Sequence, residues 1–490
     1  MRKRILVVTL MTLMALLLGA TGGSAQAPPS LFQQGLSAYE QGNVAGAYGL
    51  FQAALKAQPR EPVILSWCGT VALELGQTAD AVRYLESAAK EDPKSKVVEN
   101  NLGNAYAALG QKDKAEAAYR AALALDPKYF DAHFNLANLK AAQGDYYPAF
   151  NEYTRAIDAN PNDPEVHLNF GYALHKTGNL EKALREYRTA AKLQPDNQTT
   201  QLSLGALLLE SRLDAEAAEV YRRILTAAPN KPEAQLGLGT ALYNQGKYAE
   251  ALEPLQAALT ALPQSFEAQY NLALVQSGMK NYPAAEESYN KALVLRPNSA
   301  GCLNNLGALQ FEQKRYPEAI ETFEKAIQTN ATLELPYVNK ARALAASGEK
   351  QRALQAWMTA AAQFPKSEQA HLGLADAYYD EGDKDRALTE YLKVVAINPR
   401  NAAAQNNAGL VYLDRDRPQE AQSFFEASLV ADPNFAPALN NLGVVYQLKG
   451  QVEKARNYYH KAVTADPNYA PAQRNLDQLQ QTPATSRAQG

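Results

Sequence analysis

From Pro28 onward the apolar residues recur in short stripes three and four positions apart, broken by polar turns, and the whole pattern returns every 34 residues. Proline sets the frame, standing at 59, 93, 127, 161, 195, 229, 263, 297, 365, 399, 433 and 467, with one double step in which Ala331 holds the place. With Pro59 numbered as position 32, thirteen repeats follow one another from Pro28 to Tyr469 without insertion or deletion. A fixed period of this length marks a stacked array in which each unit buries its apolar face against the next.

The columns of the repeat predict its elements. Positions 4, 7, 8 and 11 form one stripe and positions 20, 24 and 27 another, the spacing of two amphipathic helices. Position 8 is only Gly or Ala, as at Gly35, Gly103, Ala137, Gly239 and Gly443, and position 20 is Ala in every repeat, from Ala47 to Ala455. Position 24 is always large, as at Phe51, Tyr119, Tyr187, Trp357 and Tyr459, so a large side chain is expected to fill the space that small residues leave. Position 27 is Ala except at Ile224, Val394 and Ser428. Glycine at position 15 in nine repeats supplies a left-handed residue to close the first helix, and proline at 32 ends the second. The unit reads as helix, turn, helix, turn, and the fold class as all-α.

The chain resembles the tetratricopeptide repeat family, on Leu102, Gly103, Tyr106, Ala115, Tyr119, Ala122 and Pro127 of repeat three and their counterparts in every other repeat, across residues 28 to 469. The resemblance implies a right-handed α-solenoid superhelix whose concave wall is built from positions 2, 5, 6, 9, 12 and 13 of the first helices. It implies a protein or peptide partner and no catalysis. After the repeats, 470–481 reads as a polar capping helix bearing Asn475 and Leu476, and 482–490 as a disordered tail. The boundary between repeats nine and ten is the weakest joint by pattern, because Ala331 replaces proline and Lys340 takes the usually apolar position 7.

On the wall so implied, position 6 is asparagine at Asn101, Asn135, Asn169, Asn271, Asn305, Asn339, Asn407 and Asn441, with Asn104 and Asn138 close by. A carboxamide donates and accepts at once, so a column of them suits the backbone of an extended peptide; it equally suits bonding between neighbouring helices. The column is similar to the asparagine ladder of the solenoid in O-GlcNAc transferases, without any glycosyltransferase domain beside it. Capture of a C-terminal carboxylate, another use of this fold, needs Lys or Arg at positions 2, 5 or 6, and no repeat has one. The later repeats instead bring Glu312, Asp376, Asp380 and Asp414 among Tyr270, Phe311 and Tyr379, a mixture that suits a basic ligand.

The rest of the composition narrows the setting. The net charge is −3 over 490 residues, a poor match to nucleic acid. Arg2, Lys3 and Arg4, an apolar run from Ile5 to Leu18, and Ala25-Gln26-Ala27 read as a cleavable signal peptide over 1–27, hence a periplasmic or secreted cell-envelope protein. Cys68 and Cys302 are too far apart in an extended array to pair. His133, His167 and His371 share position 4, where packing is expected, with no carboxylate or thiol at ligand spacing in the sequence. No phosphate loop, nucleophile elbow or paired-acid motif occurs, so neither an enzyme nor a cofactor is expected. The reading is an envelope scaffold, with an assembly factor for polysaccharide or pilus export and a glycan-chain binder as alternatives.

Overall fold

The computed structural model describes residues 30–481, so the expected signal peptide (1–27) and tail (482–490) lie outside the described residues. Among those residues there are 27 helices and no strands, from α1 (Leu31–Glu40) to α27 (Ala470–Gln481). From repeat two on, the first helix starts at position 1 and the second occupies positions 17–30, as in Pro62–Glu74 with Thr78–Glu91 and Ala436–Leu448 with Val452–Ala465. The chain is an all-α solenoid. It divides into two compact units, one ending at Gln245 and the other beginning at Gly246.

Local chemistry explains where each helix begins and ends. Position 34 is Ser95, Asp163, Asn197, Ser265, Ser299, Ser367 or Asn401 at seven boundaries, and each side-chain oxygen accepts from a free N–H in the first turn of the next helix. At the other end the chain reverses through position 15. The N–H of position 16 reaches back to the carbonyl of position 11, as in Gln77 to Ala72 at 2.8 Å and Gln451 to Tyr446 at 2.9 Å. All nine expected glycines there have positive φ, and so do Arg212, Lys280, Lys314 and Asp416 where glycine is missing. The turn is therefore imposed by the packing of the two helices, and four repeats carry its steric cost.

The small positions work as their chemistry suggests. A Cβ on Gly103 would stand 2.4 Å from the Tyr119 ring, on Gly307 2.7 Å from Phe323, and on Gly443 2.4 Å from Tyr459. In the first unit Ala47, Phe51, Trp67, Cys68, Ala81 and Leu85 share one core. In the second, Trp357, Ala360, Leu374, Tyr378 and Tyr391 share another. A fully buried ring such as Phe425 contributes about 1.5–3 kcal/mol by burial. Both cysteines are buried and free, and burial pushes their thiols up to about 12, which suits packing rather than redox chemistry.

The boundary between repeats nine and ten keeps a regular turn despite Ala331. Asn330 donates its N–H to Ala326 at 3.0 Å, and its Oδ1 accepts from the N–H of Thr332 at 3.0 Å. Lys340, expected to weaken the joint, pairs with Glu324 of the preceding repeat at 2.8 Å. Asp126 and Asn398 make the same turn beside Pro127 and Pro399, so the turn does not depend on the proline, and the ion pair adds a contact across this boundary.

Candidate functional site

Consecutive first helices lie side by side, and the position-6 asparagines bond across the seam between them. In the first unit Asn101 donates to Thr70 at 3.2 Å, Asn135 to Asn100 at 3.0 Å and Asn169 to Asn138 at 3.0 Å. In the second, Asn305 donates to the Tyr270 hydroxyl at 2.7 Å, Asn339 to Asn304 at 3.0 Å, Asn407 to Asp376 at 3.3 Å and Asn441 to Asn406 at 2.9 Å. Asn475 of α27 donates to Asn440 in the same way at 2.8 Å. The acceptor is always position 5 or 9 of the preceding repeat. A carboxamide has two donor hydrogens and two lone pairs, so one such bond orients the side chain without exhausting it. Asn101 and Asn441 are buried, whereas Asn135, Asn169, Asn271, Asn305, Asn339 and Asn407 are half-buried and reachable.

Position 9 is the node of this network. Asn138 accepts from Tyr153 of its own repeat at 2.7 Å as well as from Asn169, and Asp376 accepts from Tyr391 at 2.6 Å as well as from Asn407. Asn104 likewise accepts from Tyr119 at 2.7 Å. Asp376 thus sits where another repeat uses a neutral amide, and it adds a charge to an otherwise identical arrangement.

Where the column is interrupted, the space is already taken. Gly237 and Gly373 occupy position 6 in repeats seven and eleven, and a Cβ there would fall 2.2 Å from the Tyr221 ring and 2.6 Å from the Trp357 ring of the repeat before. At these two boundaries an aromatic ring lies where the amides lie elsewhere.

The acidic and aromatic residues expected to act together fall into separate groups. Asp376, Tyr379, Asp380 and Asn407 line one cavity of ≈ 320 Å³ together with Tyr391 and Leu410. Asp414 adjoins it, accepting from the Tyr379 hydroxyl at 2.8 Å and pairing with Lys384 at 2.9 Å. Tyr270 belongs instead to a groove of ≈ 570 Å³ with Asn304, Asn305, Leu335, Pro336 and Lys366. Phe311 stacks obliquely on Tyr316, and Glu312 beside it is exposed.

The electrostatics single out the smaller cavity. Asp376 is solvent-accessible but surrounded by the walls of a concavity, and that desolvation holds its carboxyl above the usual range. The bonds from Tyr391 and Asn407 act in the opposite sense, and the neighbouring charge of Asp380 reinforces the rise. Burial, helped by the bond to Asp414, pushes the Tyr379 phenol up to about 12, so it stays a neutral donor. Two carboxylates and two tyrosine rings lining one cavity have the chemistry to accept a cationic group.

The histidines depart from expectation. His133, His167 and His371 are buried, as packing demands, but each has a carboxylate at 2.6 Å: Glu152, Glu186 and Glu390. The sequence conceals these pairs because the partners lie 19 residues apart on different helices. The usable signal was a Glu at position 23 in each histidine repeat. Among the described residues no cluster of three or more metal-ligating side chains occurs.

Family models for tetratricopeptide repeats match residues 38–96, 72–120, 103–144, 137–178, 168–232, 202–266, 264–330, 375–415 and 436–469. No curated protein matches in a sequence comparison. Among solved structures, yeast Tom70 is similar at 16% identity over 88% of this chain and 97% of its own, with a TM-score of 0.43. TTC0263, a TPR protein of Thermus thermophilus, is similar at 23% identity over 36% of this chain and 97% of its own, with a TM-score of 0.33. YrrB, described as a TPR protein with an unusual peptide-binding site, is similar at 21% identity over 39% of this chain and 99% of its own, with a TM-score of 0.34. With family matches extending over most of its length and the same two-helix unit in every described repeat, the chain belongs to the tetratricopeptide repeat family of protein-interaction scaffolds.

Proposed function

We propose that this chain is an exported scaffold of the bacterial cell envelope that holds an extended segment of a partner protein along its first helices. In this reading the reachable amides of Asn135, Asn169, Asn271, Asn305, Asn339 and Asn407 bond to the partner's backbone, and the cavity at Asp376 and Asp380 takes an Arg or Lys side chain. The observation that carries it is that cavity: two solvent-accessible carboxylates, Asp376 and Asp380, beside the Tyr379 and Tyr391 rings. A cation entering there regains part of the charge stabilisation that Asp376 lacks. Because the ionised carboxylate is the binding form, affinity rises as pH climbs through the elevated pKa of Asp376.

The test uses a photoreactive residue at Leu410, which lines the cavity, with Val430, exposed on a second helix, as control. Protein adducts from Leu410 that disappear in the Asp376→Asn, Asp380→Asn variant support the reading. Adducts of equal yield from both sites, or only glycan adducts, overturn it in favour of nonspecific contact or a glycan ligand. Export is tested separately by the mature N-terminus. Cleavage after Ala27 is expected, and an intact Met1 on cytosolic protein contradicts it.

A further inference from the structure

Position 4 of the first helix reaches back to the repeat before it, and it does so with two kinds of side chain. In repeats four, five and eleven it is histidine. Nε2 of His133, His167 and His371 lies 3.0, 3.0 and 3.2 Å from the carbonyl oxygen of Pro127, Pro161 and Pro365, the proline that closes the preceding repeat. Nδ1 of the same rings lies 2.6 Å from Glu152, Glu186 and Glu390. In repeats six, seven, eight and twelve position 4 is glutamine, and in three of them its Nε2 donates to the equivalent carbonyl: Gln201 to Pro195 at 3.1 Å, Gln235 to Pro229 at 2.8 Å and Gln405 to Pro399 at 3.2 Å.

A carbonyl and a carboxylate both accept, so a ring that satisfies both must donate from both nitrogens. A neutral imidazole has one N–H; an imidazolium has two. The proton belongs to the ring because imidazole is the stronger base, with an ordinary pKa near 6.5 against about 4.3 for Glu. We propose that His133, His167 and His371 are proton-held latches between consecutive repeats, closed while the ring is an imidazolium and released when it is neutral, whereas the glutamine boundaries hold at every pH. On release the remaining N–H stays with the charged carboxylate. The bare Nε2 then faces the proline carbonyl, two acceptors with no proton between them.

The charges around His167 favour the closed form. His167 faces Glu186 from the second helix of its repeat and Asp163 from the preceding turn. The Glu186 bond is the main reason its pKa stands above the ordinary value, and burial opposes it. His133 faces Glu152, to which Arg155 adds a contact at 3.7 Å, and Asp126 of the preceding repeat, which is paired with Lys96. His371 faces Glu390, which also takes Lys393 at 2.7 Å. With the folded value of His167 above its unfolded one, the stability it adds is fully present below the unfolded pKa and is lost as pH rises through the folded pKa. The latch at His371 closes the same boundary at which Gly373 interrupts the amide column.

Amide exchange on the full chain tests this, with protection factors at pH 5.5 and 8.5 for wild type and for the H133Q/H167Q/H371Q variant. In wild type, protection at 129–135, 163–169 and 367–373 is expected to fall from the lower pH to the higher, as each bare Nε2 loses its bond to the proline carbonyl. Protection at the three glutamine boundaries with that bond (197–203, 231–237 and 401–407) is expected to stay constant, and the variant is expected to hold these and the three histidine boundaries equally at both pH values. An equal fall at both sets in wild type, or a fall that survives in the variant, overturns the proposal. Should the variant fail to fold, nitrogen NMR of the wild-type rings decides it. Both ring nitrogens of His167 protonated at pH 5.5 is the expected result, and a neutral ring at that pH overturns it.

Discussion

Two boundaries of the second unit solve one problem in different ways. Between repeats twelve and thirteen, Asn441 donates to Asn406 and accepts from Asn440, so a chain of buried amides fills the seam between the first helices. Between repeats ten and eleven, Gly373 makes room for the Trp357 ring, which fills the place that the amides take elsewhere. The backbone period is the same in both. A 34-residue repeat therefore prescribes the spacing of the helices but leaves open whether hydrogen bonds or a ring fill the gap. An amide at position 6 accordingly bonds along the array, and in the proposed function only the reachable amides are left to contact a partner.

Five substitutions probe that contrast and the turns that frame it. The largest effect is expected from Gly373→Asn, which restores the column where the Trp357 ring now lies. Overpacking should cost about 3 kcal/mol in urea unfolding, and a neutral result would mean the ring does not seal the boundary. Asn441→Ala should cost about 2 kcal/mol by leaving Asn406 and Asn440 without their buried partner, read as lost exchange protection between repeats twelve and thirteen. The smallest effect is a gain. Lys280→Gly and Lys314→Gly, each relieving a left-handed lysine, should raise stability by about 1 kcal/mol apiece in thermal unfolding, whereas Gly382→Ala should lower it.

These effects show which features were legible in the sequence. The period, the paired helices, the glycine turn and the ring over small residues could all be read because each depends on residues at fixed positions within one repeat. The left-handed conformation of Lys280 and Lys314 was not read from the sequence, because it goes against their own preference and only the packing of the two helices imposes it. What stayed hidden were choices between neighbours in space. Asn441 could bond a ligand or the preceding helix, and only the distance to Asn406 decides that one of its hydrogens does the latter. The proposed acidic and aromatic patch divided for the same reason. Phe311 shares position 12 with Tyr379 and Tyr270 stands at position 5, but both lie along other seams, whereas Asp376, Tyr379, Asp380 and Asn407 converge on one cavity.

Asp376 gives the sharpest handle on function, because Asn138 shows that an amide can occupy the same node. Asp376→Asn should keep the bonds from Tyr391 and Asn407 and leave the fold at least as stable at neutral pH, since ionising a carboxyl held above its usual pKa works against the fold. Calorimetry of the full chain with extended peptides carrying a central arginine, or citrulline in its place, therefore tests the account most directly. Binding of the arginine peptides, weakened at least about tenfold by citrulline and to the same degree by Asp376→Asn with helicity unchanged, is the predicted result; a loss of one interfacial charge pair corresponds to that order. Equal affinity for the two peptide sets, or binding indifferent to Asp376→Asn, would contradict it.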